Sequence, residues 1–141
     1  IYDVDYVSGC LMLIKSRLFR EIGMLDPLFF NYFEDTDYCT RAKEAGYRVV
    51  VDPRSIIYHK VSAAVTPNWK QYVYFRNMPL FFALRKSVQP SFMFYYPWRW
   101  LYGFLTLLFA GNFSASRAAW FGFIDFLSGR FGKGRIDRVR K

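Results

Sequence analysis

The chain has 141 residues, 53% of them hydrophobic and 22% aromatic, which is enough for one domain with its own core and too apolar for a disordered segment. Its formal net charge of +9 is divided unevenly. Residues 1–66 hold 8 Lys+Arg against 9 Asp+Glu, a net of −1, while residues 67–141 hold 12 against 2, a net of +10. Two parts with different tasks are expected.

Taken in chain order, Val7–Ile14 (VSGCLMLI) reads as a short buried strand that begins with small residues. Ser16 is placed to cap a helix over Arg17–Ile22, closed by Gly23. Beyond Asp26-Pro27, the aromatics Phe29, Phe30, Tyr32 and Phe33 lead straight into Glu34, Asp35 and Asp37. A helix is predicted from about Glu34 to Gly46, with Tyr38, Cys39, Ala42 and Ala45 on its core face. Tyr47–Val51 and Ser55–His59 read as two short strands separated by Asp52-Pro53. The order strand, helix, helix, strand suits part of an α/β layer.

From Thr66 the character changes. Thr66 as cap and Pro67 at the first helical position open a helix through Trp69, Tyr72, Val73 and Arg76, which Pro79 should kink or end near Met78. Residues 90–113 are apolar apart from Arg99, and the uncharged run that follows falls slightly short of the ~20 residues a spanning helix needs. Trp98, Trp100 and Tyr102 cluster there as interfacial residues do. A third helix covers Ser116–Leu127, and the basic tail beyond it should fray. Cys10 and Cys39 have no metal-ligand or CxxC spacing and read as buried free thiols of a cytosolic protein. No signal peptide opens the sequence, which reads as if cut from a longer chain. Asn112-Phe113-Ser114 is formally a glycosylation sequon, set in a hydrophobic stretch.

Acids in a first helical turn meet unpaired N–H groups and the positive end of the helix dipole. That accounts for one or two of Glu34, Asp35 and Asp37 but not for the aromatics ahead of them, which look like the wall of a cleft. A lone histidine such as His59 is ordinarily structural. What changes the reading is the shared order of pieces. VSGCLMLIKSRLFREIGMLDPLFFNYFEDTDYCTRAKEAGYRVVVDPRSIIYH, followed by YFRNMPLFFALRK, resembles the second half of the family-2 glycosyltransferases. These are inverting enzymes of the GT-A fold, and the likeness is to rhamnosyltransferase-like members that build bacterial surface polysaccharides. It covers roughly the first 90 residues.

That resemblance implies an α/β fold, the C-terminal half of a GT-A nucleotide-diphospho-sugar transferase domain followed by a mainly helical region. Residues 1–66 would be the acceptor-side part of the catalytic domain, and residues 67–141 a helical, basic, aromatic-rich region. Hexosyl or rhamnosyl groups would pass, with inversion, from a nucleotide-sugar donor to a glycan or lipid-linked acceptor. Asp35 matches the catalytic base and Glu34 the wall of the acceptor pocket. Asp37 is placed with the acceptor-binding residues, as a helix cap or as the partner of a neighbouring arginine. Ser8 and Gly9 match the stretch beside sugar and acceptor. His59 matches a histidine that reaches the donor diphosphate or its metal. The cofactor would be Mg2+ or Mn2+, its main ligands in an upstream nucleotide-binding half.

The basic half invites comparison with nucleic-acid binding, yet its aromatics sit among Leu, Ile, Phe and Ala, as in buried or lipid-facing helices. An anionic membrane surface is therefore the expected partner, with no nucleic acid. The expected location is cytoplasmic, peripheral on the inner face of the cell membrane. Two other readings stay open: helices that merely pack onto the catalytic part, and a membrane-associated interaction module without catalysis.

Overall fold

The computed structural model describes residues 1–59, 67–85 and 91–139; the expected cap at Thr66 lies outside them. Strand β1 (Tyr2–Asp3) pairs antiparallel with β2 (Val50–Val51), Tyr2 opposite Val51 and Asp3 opposite Val50. Among the described residues this is the sheet, and helices make up most of the rest.

Val7–Ile14 does not form the expected strand. Ser8 to Leu11 make a turn, closed by the Leu11 N–H donating to the Ser8 carbonyl at 3.3 Å. Met12 and Ile14 still face the core while Leu11 and Leu13 point outward, so the alternation of a strand survives without its ladder. A strand needs a hydrogen-bonded neighbour, and the described residues offer this stretch none. Ser55–His59 is likewise not a strand, and Ile56 and Tyr58 are exposed.

Helix α1 (Ser16–Ile22) starts one residue early, so Lys15 rather than Ser16 takes the N-cap, without a side-chain cap. Gly23 ends it at φ 80°, a left-handed backbone that suits glycine. Helix α2 (Glu34–Glu44) starts where predicted and ends two residues before Gly46, leaving Ala45, expected on the core face, exposed at its C-cap. Leu18, Tyr38, Cys39, Ala42 and Val49 form the core between α1, α2 and the sheet, and Val7, Met12 and Ile14 pack against it.

Helix α3 (Pro67–Leu84) begins at Pro67 as expected but passes through Pro79. Proline cannot donate to the carbonyl four residues back. Here that carbonyl, Phe75 O, accepts instead from the buried Tyr96 hydroxyl at 3.0 Å. Tyr96 belongs to α4 (Phe92–Phe109), and α5 (Phe113–Leu127) follows after a turn at Gly111. Ala115, Ser116, Ala118, Ala119 and Gly122 bury a small-residue face of α5, which packs along α3. A Cβ at Gly122 would lie 2.2 Å from the Tyr72 carbonyl oxygen, so the two backbones meet where only glycine fits. No described helix is long and apolar enough to cross a membrane.

The basic tail is not wholly frayed. Helix α6 (Ile136–Val139) buries Ile136 and Val139 against Trp69, Tyr72, Val73 and Ala118. A polar network fastens it. The Tyr72 hydroxyl donates to the fully buried Asp125 at 2.7 Å and accepts from the Arg135 N–H at 2.8 Å. Arg130 and Arg135 pair with the other Asp125 oxygen at 3.3 and 3.1 Å.

The acidic and basic stretches share their core. Phe29, wholly buried, packs with Leu80 and Phe81, and Tyr32 lies against the Trp69 cluster. The aromatic run ahead of the acids is therefore an anchor that seats the start of α2 on α3.

Candidate active site

The anchor is strained. Phe30, Tyr32 and Phe33 adopt φ of 62°, 61° and 75°, a left-handed conformation that costs a residue with a Cβ about 1–2 kcal/mol each. Asn77 and Arg76, both fully buried on α3, hold it in place. The Asn77 amide nitrogen donates to the carbonyls of Phe29, Asn31 and Tyr32 at 2.8, 2.9 and 2.8 Å, sharing two hydrogens among three acceptors. Arg76 donates to the Phe29 carbonyl at 3.0 Å and, through Nε, to Asn77 Oδ1 at 2.8 Å, which fixes the way the amide faces. Burial lowers the pKa of Arg76, against the raising influence of Tyr72 and Asp125.

Phe33 is the N-cap of α2 and supplies no side-chain cap, so the first-turn N–H groups turn to the acids themselves. Asp35 Oδ1 accepts from the Thr36 N–H at 2.7 Å and from the Thr36 hydroxyl at 3.3 Å. Asp35 Oδ2 accepts from the Gly9 N–H at 2.9 Å. Two residues singled out in the sequence, 26 positions apart, thus meet, and Ser8 lies beside them in the same exposed turn. A carboxylate oxygen has two lone-pair directions. Gly9 occupies one on Oδ2 of the half-buried Asp35, leaving another for an incoming hydroxyl.

Glu34, next to Asp35, is half-buried, and its Oε2 has no hydrogen-bond partner among the described residues. Burial raises its pKa; a hydrogen bond from its own backbone opposes this and the Asp35 charge adds to it. A buried acceptor without a donor calls for an explanation, and a ligand hydroxyl would supply one.

Asp37 turns away from this pair. It is fully buried at the fourth position of α2, where its own N–H donates to the Phe33 carbonyl, so it is no cap. Arg41 Nε lies 2.9 Å from one of its oxygens, and Arg85 reaches the other at 2.6 Å. Of the two roles read from the sequence, the geometry is that of the arginine partner. His59 is exposed. Among the described residues no three His, Cys, Asp or Glu side chains converge to hold a metal ion, so the residues present do not fit a Mg2+ or Mn2+ site by themselves. Cys39 is buried and burial raises its pKa, while Cys10, expected to be buried, is exposed in the turn beside Gly9. A cavity of about 790 Å³ opens elsewhere, lined by residues such as Met12, Ile14, Leu18, Tyr38 and Val49, and touches neither Asp35 nor Glu34.

Sequence reasoning did not find Asn77, Arg76, Arg85 or Thr36. The signal for the first three was an Arg-Asn pair in the apolar middle of α3 and a further Arg just past its end at Leu84, since polar side chains in apolar surroundings are retained only with buried partners.

Comparison with known proteins gives this carboxylate pair beside a glycine turn a context. The chain is similar, over part of its length, to glycosyltransferases. It is 34% identical over 77 residues to a galactofuranosyltransferase of Mycobacterium tuberculosis, which covers 53% of this chain and 12% of that protein. It is 35% identical over 46 residues to a low-salt glycan biosynthesis hexosyltransferase of Haloferax volcanii, covering 33% of this chain and 15% of the relative. It is 33% identical over 58 residues to an N-acetylglucosaminyl-diphospho-decaprenol L-rhamnosyltransferase of Mycobacterium tuberculosis, covering 40% and 19%. The chain thus spans under a fifth of each of these relatives. No family model matches it. No solved structure matches it either.

Proposed function

We propose that this chain is the acceptor-side part of an inverting, family-2 glycosyltransferase of the GT-A fold, acting in cell-surface polysaccharide synthesis. The observation that carries the reading is the Asp35 carboxylate, fixed by the Gly9 and Thr36 N–H groups with lone pairs left over, in a chain similar to glycosyltransferases. An acceptor hydroxyl attacks the anomeric carbon from the face opposite the departing nucleotide diphosphate. Asp35 takes its proton as the bond forms, which requires a contact of about 3 Å. The unpartnered Glu34 oxygen orients the same acceptor through a second hydroxyl. His59 is assigned to the donor diphosphate. The nucleotide and any Mg2+ or Mn2+ are assigned to residues outside the 141. The acceptor is a glycan or a lipid-linked sugar, one relative's name including a decaprenol-linked substrate. The proposed location is cytoplasmic, peripheral on the inner face of the cell membrane, where a lipid-linked acceptor would be met.

The test is Asp35→Asn in the complete enzyme, which keeps shape but cannot take the proton. Turnover should fall about 10²–10⁴-fold, with donor affinity and melting temperature close to the parent's. Near-normal turnover in a well-folded variant would remove Asp35 as base and leave the acidic cluster a helix-capping feature.

A further inference from the structure

The outer face of α4 is a surface feature that the transfer chemistry leaves unused. Phe94, Trp98, Leu101, Tyr102 and Phe109 are all exposed, at 82%, 72%, 41%, 67% and 83%. At roughly 100° per residue they fall on one side of the helix, over a length of about 22 Å. Phe113, just past the Gly111 turn at the start of α5, is 69% exposed as well. The opposite side of α4 is apolar as well. Trp100 packs on Phe75, Trp120 and Phe123, Phe104 stacks on Trp100, and Tyr96 is buried on Phe75. A surface helix of a water-soluble domain turns polar residues outward; this one is aromatic on both sides. A contiguous exposed apolar face of this kind marks an interaction site.

Charge decides what covers it. Residues 67–124 contain no Asp or Glu. Lys70 and Arg99 line one hollow with Tyr102 of the stripe, and Arg117 is exposed on α5. Trp and Tyr, with apolar bodies and polar tips, are the residues that settle at the boundary between headgroups and acyl chains. With no described helix able to cross a bilayer, the fitting geometry is in-plane.

We propose that the face formed by Phe94, Trp98, Leu101, Tyr102, Phe109 and Phe113 docks onto an anionic lipid bilayer, with α4 lying in the plane of its surface. This surface works whether or not Asp35 is a base. A second copy of the chain is the competing occupant, and the test separates the two. The full chain is mixed with vesicles of zwitterionic phosphatidylcholine alone or with about one-third phosphatidylglycerol, and bound protein is read by flotation and tryptophan emission. Binding should favour the anionic vesicles, weaken with salt, and shift the tryptophan emission to the blue. Trp98→Ser combined with Phe109→Ser should cut partitioning about tenfold or more, with an unchanged melting temperature because both residues are exposed. Arg99→Gln with Arg117→Gln should weaken binding and flatten its salt dependence. Equal partitioning of parent and Trp98→Ser/Phe109→Ser variant, no binding to either vesicle, or a concentration-dependent dimer that the same double change abolishes would each overturn the proposal.

Discussion

Replacing Asn77 by Ala removes the donor that three loop carbonyls share. The Phe29 carbonyl keeps Arg76 at 3.0 Å, but those of Asn31 and Tyr32 lose the amide. Leaving a buried acceptor unsatisfied costs about 1–3 kcal/mol. Both residues are half-buried, so water reaches them in part and the low end applies, about 2 kcal/mol for the pair. The vacated amide volume adds on the order of 1 kcal/mol. The sum, about 3 kcal/mol, corresponds to a fall in melting temperature of roughly 10 °C for a chain of this size. Three left-handed aromatics rely on the clamp, and its loss lets them relax toward ordinary backbone. The start of α2 then shifts, and with it Glu34 and Asp35. Circular dichroism melts measure the stability, and turnover of the complete enzyme measures the displacement. Asn77→Asp sharpens the test, since a carboxylate keeps the shape and the Arg76 contact but presents oxygens to carbonyl oxygens. It should be no better than Ala. A melting temperature within about 2 °C of the parent for either variant would refute the clamp.

Asp37→Asn should destabilise by about 3–5 kcal/mol, because it weakens the bond to two arginines at a wholly buried site; chemical denaturation checks this, and the loss of turnover should track the loss of folded protein. This inverts what capping alone would give, since Asn caps a helix nearly as well as Asp. Glu34 holds its proton more tightly in the folded chain than in the unfolded one, so the folded state binds more protons over that interval and stability falls as pH rises above the ordinary glutamate value of 4.5. Glu34→Gln should remove that slope in denaturation curves taken between about pH 4 and 7. The Cys10 thiol should react with a thiol reagent in the native protein, whereas Cys39 should react only on unfolding; equal rates for both would contradict the packing around Cys39.

The parts of this protein legible in the sequence are those set by interactions within a few residues. Helix α2 begins at an acid and ends before Gly46 because caps, dipole and the left-handed glycine are local matters. Pro67 likewise marks the start of α3. The candidate base, Asp35, was legible through its place in a motif, and Gly9 along with it. Partnership across distance was not legible. Val7–Ile14 has the composition of a strand, but a strand exists only with a neighbour to bond. Pro79 should break α3, and does not, because a tyrosine 17 residues further on takes over the carbonyl it frees. Asp37 reads as a cap or as the holder of a neighbouring arginine, and Arg41, four residues on, fits that reading, but Arg85, 48 residues away, is out of its reach. The three aromatics ahead of Glu34 carry no sign of their left-handed backbone, since Arg76 and Asn77, more than 40 residues on, hold that segment. Local free energy chose where helices start; only the packed chain decided which carbonyls, acids and aromatics would meet, because each such contact depends on a partner that sequence proximity does not name.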